Sequence, residues 1–162
     1  MIEGDLTSVE VLGLAIAQEV AANKRYQLMA ERVVNPLAKE KFRSLAREER
    51  AHREMLYKLL QKYTGETKPR LPKKAPRLNK DMDGNLPLDE VLLLAIDKER
   101  EAQAFYREAA AAASDPTGKR LMLYLALFEE GHERSLKVEY DTVAKFPQWF
   151  ETDGADIQLV GP

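Results

Sequence analysis

Cysteine is absent from this chain of 162 residues. That excludes disulfides, thiolate-bound zinc, cysteine-ligated iron–sulfur clusters and thiol catalysis. A cytoplasmic protein needs no disulfides. Net charge is also nearly absent, because 25 basic residues offset 27 acidic ones to leave −2. A general nucleic-acid binder should be clearly basic, so no nucleic-acid partner is expected. Long apolar runs are missing: stretches such as Leu121 to Phe128 fall far short of the ~20 residues that span a membrane. The opening Met1-Ile2-Glu3-Gly4-Asp5 is acidic and lacks the basic start of a secretory signal. These absences predict a soluble, cytoplasmic protein with no membrane partner. Histidine is scarce too: the chain has two, and both fall in the same motif.

Helical periodicity is what the chain has in abundance, in four segments rich in Ala, Leu, Glu, Lys and Arg. The first runs from about Ser8 to Val34 and places Val9, Leu12, Ile16, Glu19, Asn23, Tyr26, Ala30 and Val33 on one inward stripe. The second, from about Pro36 to Thr64, carries Ala38, Phe42, Leu45, Glu49, His52, Leu56 and Leu59. Asn35-Pro36 reads as its cap and first turn, and Gly65 as its stop. The third begins near Pro87 with stripe Leu92, Ile96, Glu99, Gln103, Tyr106, Ala110 and Ala113. The fourth opens at Asp115-Pro116 and carries Met122, Leu125, Glu129, His132 and Leu136.

One constant shift of eighty positions superposes the halves. Ile16, Glu19 and Tyr26 return as Ile96, Glu99 and Tyr106; Pro36, Leu45, Ala46, Glu49, His52 and Leu56 return as Pro116, Leu125, Ala126, Glu129, His132 and Leu136. The simplest reading is an all-α, four-helix bundle built from a duplicated helical hairpin, spanning about residues 1–145. Short links make the helices of each pair antiparallel neighbours. A long crossover at about 65–86 joins the pairs; its Lys and Arg residues suit either a solvated loop or a patch for an acidic partner. Residues 146–162, with Phe146, Trp149 and Phe150, form a tail that resembles none of the helices and suits packing or a subunit contact.

Four glutamates and both histidines thus lie at core positions. A lone buried carboxylate costs several kcal/mol or takes up a proton, and four in one layer would repel each other. No lysine or arginine shares the stripes to neutralise them, whereas two divalent cations would. Residues three apart in a helix rise about 4.5 Å and share a face. Glu49 with His52, and Glu129 with His132, can therefore reach one metal layer, opposite Glu19 and Glu99. Di-iron and di-manganese carboxylate bundles use this arrangement, and ligand type alone leaves iron, manganese or a mixed pair open. Tyr26 and Tyr106 suit either core packing or a hydrogen bond to a ligand carboxylate, where a phenol could also supply a proton or an electron. Asn23 and Gln103 are weaker candidates of the same kind, while Glu48, Glu101 and Glu130 read as solvated surface charge.

Four stretches carry a resemblance to the rubrerythrin branch of the ferritin-like superfamily: Glu19-Val-Ala-Ala-Asn-Lys-Arg-Tyr26, Ala46-Arg-Glu-Glu-Arg-Ala-His52, Glu99-Arg-Glu-Ala-Gln-Ala-Phe-Tyr106 and Glu129-Glu-Gly-His132. The resemblance, over about Val9 to Tyr140, implies a ferritin-like fold that binds two irons and reduces hydrogen peroxide or activates dioxygen. It also implies a homodimer or larger homo-oligomer. Typical relatives carry a cysteine-rich rubredoxin module that feeds electrons to the bundle; this chain has none, so the donor would be a separate protein. They also carry an extra glutamate three residues after the main ligand of the third helix, where this chain has Ala102. The set left resembles the ferroxidase centre of bacterioferritin, so ferroxidase or iron-handling activity is the alternative expectation.

Overall fold

A computed structural model describes residues 5–71 and 86–148 of the chain. Four α-helices account for the architecture: α1 (Ser8–Arg32), α2 (Pro36–Thr64), α3 (Leu88–Ala112) and α4 (Pro116–Lys145). Each start is set by local chemistry. Thr7 and Glu10 close a reciprocal capping box on α1. The Asn35 side chain accepts from the backbone N–H groups of Leu37 and Ala38 at 3.0 and 3.1 Å. Asp115 does the same for Thr117 and Gly118, with proline following both caps. Gly65 ends α2 at φ 69°, left-handed backbone that glycine adopts without penalty. The expected segments are all present, α1 ending at Arg32 rather than Val34.

The dominant helix packing is within the hairpins, α1 on α2 and α3 on α4. Between hairpins, the chain before α1 pairs with the α3–α4 turn. Leu6 N–H donates to the Ala112 carbonyl at 2.8 Å, and Ser114 N–H to the Leu6 carbonyl at 3.1 Å. The start of α1 therefore lies beside the end of α3, so α1 and α3 are antiparallel. It follows that α2 ends and α3 begins at opposite ends of the bundle, the topology a long crossover serves. The beginning of that crossover lies tight on α1, where a Cβ added to Gly13 would sit 1.9 Å from the Arg70 carbonyl oxygen. The basic residues Lys73, Lys74, Arg77 and Lys80, and the tail residues Trp149 and Phe150, lie outside the described residues.

Two apolar clusters fill the interior. One joins Tyr26, Met29, Phe42, Ile96 and Leu136, and the other Leu12, Ile16, Leu56, Tyr106 and Met122. Between them lies the layer that holds the buried glutamates. The inward stripes are buried as the periodicity implies, except that Val9 at the start of α1 and Ala113 just past α3 are half-buried, and that the stripe slips near the end of α2. There Leu60 is the fully buried residue and Leu59 is half-buried. An α-helix drifts by about 20° per heptad against a 3.5-residue repeat, so a stripe counted in threes and fours slips by one position in a helix this long. Among the described residues, no helix is long and apolar enough to cross a membrane.

Candidate metal centre

Midway along the bundle each helix contributes carboxylate to one layer: Glu19 from α1, Glu49 from α2, Glu99 from α3 and Glu129 from α4. Their exposures are 0, 0, 1 and 2%, with His52 and His132 at 9 and 5%. Glu49, Glu99, Glu129 and His132 form one group that could hold a metal ion, each offering a ligand atom within 4.8 Å of the others. Glu19, Glu49 and His52 form a second, with Glu49 common to both. The structure thus brings together all six residues that the sequence singles out.

Both histidines turn Nδ1 into the layer. His52 Nδ1 lies 3.3 Å from Glu49 Oε2 and 3.4 Å from Glu19 Oε2. His132 Nδ1 lies 3.2 Å from Glu129 Oε2, 3.3 Å from Glu49 Oε1 and 3.7 Å from Glu99 Oε2. The two rings are 6.2 Å apart and nearly parallel, at 22°. Three carboxylate oxygens, Glu19 Oε2, Glu49 Oε1 and Glu99 Oε2, are buried with no hydrogen-bond partner. Each faces a histidine nitrogen without bonding geometry. Buried carboxylate oxygens normally find a donor or a cation, and these three have none. The donor set of carboxylate oxygens and imidazole nitrogens suits iron, manganese or zinc. The residues fit a metal pair.

The electrostatics agree. Burial pushes Glu19 up to about 7, against the pull of His52, and the charge of Glu49 pushes the same way. Burial, with the charges of Glu99 and Glu49, lifts Glu129 well above the carboxylate range. For Glu49 burial acts upward as well, but His132 and His52 outweigh it and hold the group at about 2. Burial disfavours the His52 cation, yet Glu19 and Glu49 overcome it and raise the ring to about 9. His132 is raised further, against burial, by Glu129, Glu48 and Glu49. In the absence of another cation, the layer draws positive charge from its two imidazoles.

Tyr26 and Tyr106, both fully buried, tie the hairpins together crosswise. The Tyr26 hydroxyl donates to Glu99 Oε1 and the Tyr106 hydroxyl to Glu19 Oε1. Helical side chains lean toward the N-terminus of their own helix, which brings each phenol back to the level of the layer. Burial and the charge of Glu19 keep the Tyr106 proton on its oxygen. The two amides do not reach the ligand carboxylates: Asn23 donates to the Ala46 carbonyl at 2.5 Å and Gln103 to Glu133 at 2.7 Å.

Two further carboxylates border the layer, Glu133, which the sequence does not single out, and Glu48, which it reads as surface charge. Glu133 is buried and bonded by Lys137, Gln103 and Arg100, with Lys137 first among the partners that hold it down at about 2. Glu48 stands half-exposed with Oε2 3.2 Å from His132 Nε2. Periodicity places Glu48 beside the stripe and carries no sign of what α4 brings to meet it. Glu101 and Glu130 do pair at the surface, with Lys98, Arg107 and Arg134. Between α2 and α4 a groove of about 410 Å³ leads inward past Glu48, Tyr124, Phe128 and Gly131 to His132.

A family model described as rubrerythrin matches residues 10–140. Among solved structures, the chain is similar to a hypothetical protein from Pyrococcus furiosus. That likeness has 30% identity and a TM-score of 0.68, covering 88% of this chain and 93% of that one. It is also similar to an uncharacterized conserved protein from Magnetospirillum magnetotacticum, at 27% identity and a TM-score of 0.66, over 83% and 93% of the two chains. A further likeness, at 22% identity and a TM-score of 0.70 over 90% of each chain, is to a protein from Bacteroides fragilis described as a dodecameric thioferritin related to bacterioferritin. That last likeness speaks for the fold alone. No curated protein matches.

Proposed function

Because the chain belongs to the rubrerythrin family, with a ferritin-like helical bundle, we propose that Glu19, Glu49, His52, Glu99, Glu129 and His132 hold two iron ions. We propose further that the protein reduces hydrogen peroxide or activates dioxygen, with electrons from a separate donor protein. The observation that carries this reading is the trio of buried carboxylate oxygens without a hydrogen-bond partner. When bound, two adjacent ferrous ions would supply the electron pair that an O–O bond takes up on cleavage.

The chain's own groups do the rest. Glu49, common to both ligand groups, spans the two positions. Tyr26 and Tyr106 orient Glu99 and Glu19 and hold a proton at each phenol oxygen beside the layer. The apolar clusters on either side keep bulk water out, which strengthens every charge interaction between them. The groove between α2 and α4 gives a small polar reactant a way toward His132. Peroxide reduction to water consumes two electrons and two protons; the donor brings the first and the groove admits the second.

One observation favours a second reading, ferroxidase or iron-handling activity. Ala102, buried at the position one turn after Glu99, adds no further carboxylate and leaves a nearly symmetric set of four glutamates and two histidines. The chain would then oxidise iron(II), with dioxygen taking up the electrons, rather than consume peroxide catalytically. Elemental analysis of protein purified without added metal identifies the ion. Peroxide consumption with an added reductant, abolished by Glu49→Ala and by Glu129→Ala, supports the first reading. Bound iron that is inert to peroxide but accumulates as ferric mineral in a large shell, seen by light scattering, supports the second. A homodimer is the assembly expected under the first.

A further inference from the structure

The two halves of the layer are not copies of each other. A shift of eighty positions carries Glu48 onto Phe128. Glu48 Oε2 meets the outer nitrogen of His132, Nε2, at 3.2 Å. Beside His52 the corresponding place is taken by the Phe128 ring, edge-on with centroids 4.6 Å apart at 71°. Among the described residues no carboxylate meets the outer nitrogen of His52. The donor groups differ in the same sense: three carboxylates converge with His132 and two with His52, Glu49 being shared.

A metal-binding imidazole needs a lone pair at the ligating nitrogen. When its other nitrogen donates an N–H to a carboxylate, the ring is fixed in the right tautomer, held in orientation and made a stronger donor. His132 has that anchor and His52 has an aromatic ring instead. We infer that Glu48 is a positioning residue that makes the two metal positions unequal. The position at Glu49, Glu99, Glu129 and His132 fills first and retains its ion. The position at Glu19, Glu49 and His52 fills second and empties first. This inference rests on the metal-binding reading and adds to it an order of filling that the duplicated sequence does not imply.

Cobalt(II) titrated into the metal-free protein, followed by visible absorption and by elemental analysis after a chelating resin, tests it. The wild-type protein is expected to bind two ions and to keep one under chelation that strips the other. Glu48→Ala, at a half-exposed side chain whose loss opens no core, is expected to weaken the tighter position about 10–100-fold and erase the difference. Glu48→Gln keeps an acceptor oxygen without the charge and should fall between, which a merely structural role would not produce. Phe128→Glu should tighten the weaker position and shift its cobalt spectrum. Two ions bound by the wild-type protein with one affinity, or a Glu48→Ala protein that binds as the wild type does, would overturn this inference and leave the metal reading standing. Wild-type protein that binds no ion at all overturns both.

Discussion

The Tyr106 hydroxyl is the donor on which Glu19 Oε1 depends, deep in the bundle where water cannot replace it. Tyr106→Phe keeps the ring and its packing but strands that oxygen. A buried acceptor left unsatisfied costs about 1–3 kcal/mol, and denaturant unfolding of the metal-free protein is expected to show a loss of that size. An unchanged midpoint would mean that Glu19 turns to another donor. The six candidate ligands were legible in the sequence because charge on an apolar stripe is expensive, and Glu19, Glu49, Glu99 and Glu129 recur on one. Which glutamate each phenol serves was not legible, since spacing along one helix says nothing of the helix opposite. Glu48 was missed for a related reason: a half-exposed residue beside the stripe looks the same whether its neighbour is solvent or His132.

Helix starts and stops were the most readable elements, because capping is local chemistry and Asn35-Pro36, Asp115-Pro116 and Gly65 each carry it within a few residues. Asp115 does more than cap α4. Its carboxylate also accepts from the Ser8 hydroxyl at 2.6 Å, joining the starts of α1 and α4. Ser8 first, then the Gly118 N–H, hold the Asp115 carboxyl below its ordinary value of 3.8. A depressed folded-state pKa contributes stability that is complete above the ordinary value and is lost as pH falls through the lowered one. Asp115→Asn is therefore expected to flatten the acid limb of the stability curve below about pH 4, read by thermal unfolding between about pH 2 and 7. A limb as steep as the wild type's would contradict it. What the sequence did not reveal is the close passage of the crossover over Gly13. The duplication pairs Gly13 with Leu93, whose side chain is 43% exposed, so among the described residues the strap lies on the Gly13 copy alone. Gly13→Ala drives a methyl into the Arg70 carbonyl. Overpacking of this kind costs about 1–3 kcal/mol, expected as a lowered unfolding midpoint, whereas Leu93→Ala should change it little.

Over the whole molecule, a charged layer divides the apolar interior into two clusters, and burying its carboxylates opposes folding there. Anything that binds the layer binds the folded state alone and stabilises it by mass action. At a free metal concentration one hundred times Kd the gain is about 2.7 kcal/mol for each site. Iron(II) or manganese(II) is expected to raise the unfolding temperature of the chelator-treated protein, with Glu49→Ala abolishing the rise because that residue belongs to both ligand groups. A metal-independent midpoint would count against the site. The bundle itself was legible in outline, since one offset aligns both hairpins and the long segment between them leaves few topologies.

Tyr26 serves Glu99 and Tyr106 serves Glu19, so neither hairpin satisfies its own glutamate; each completes the other. A half-length peptide could meet both demands only by pairing with its twin about a twofold axis, residue for residue, in an isologous contact. The reciprocal bonds thus give the two hairpins, inside one polypeptide, the form of an isologous contact.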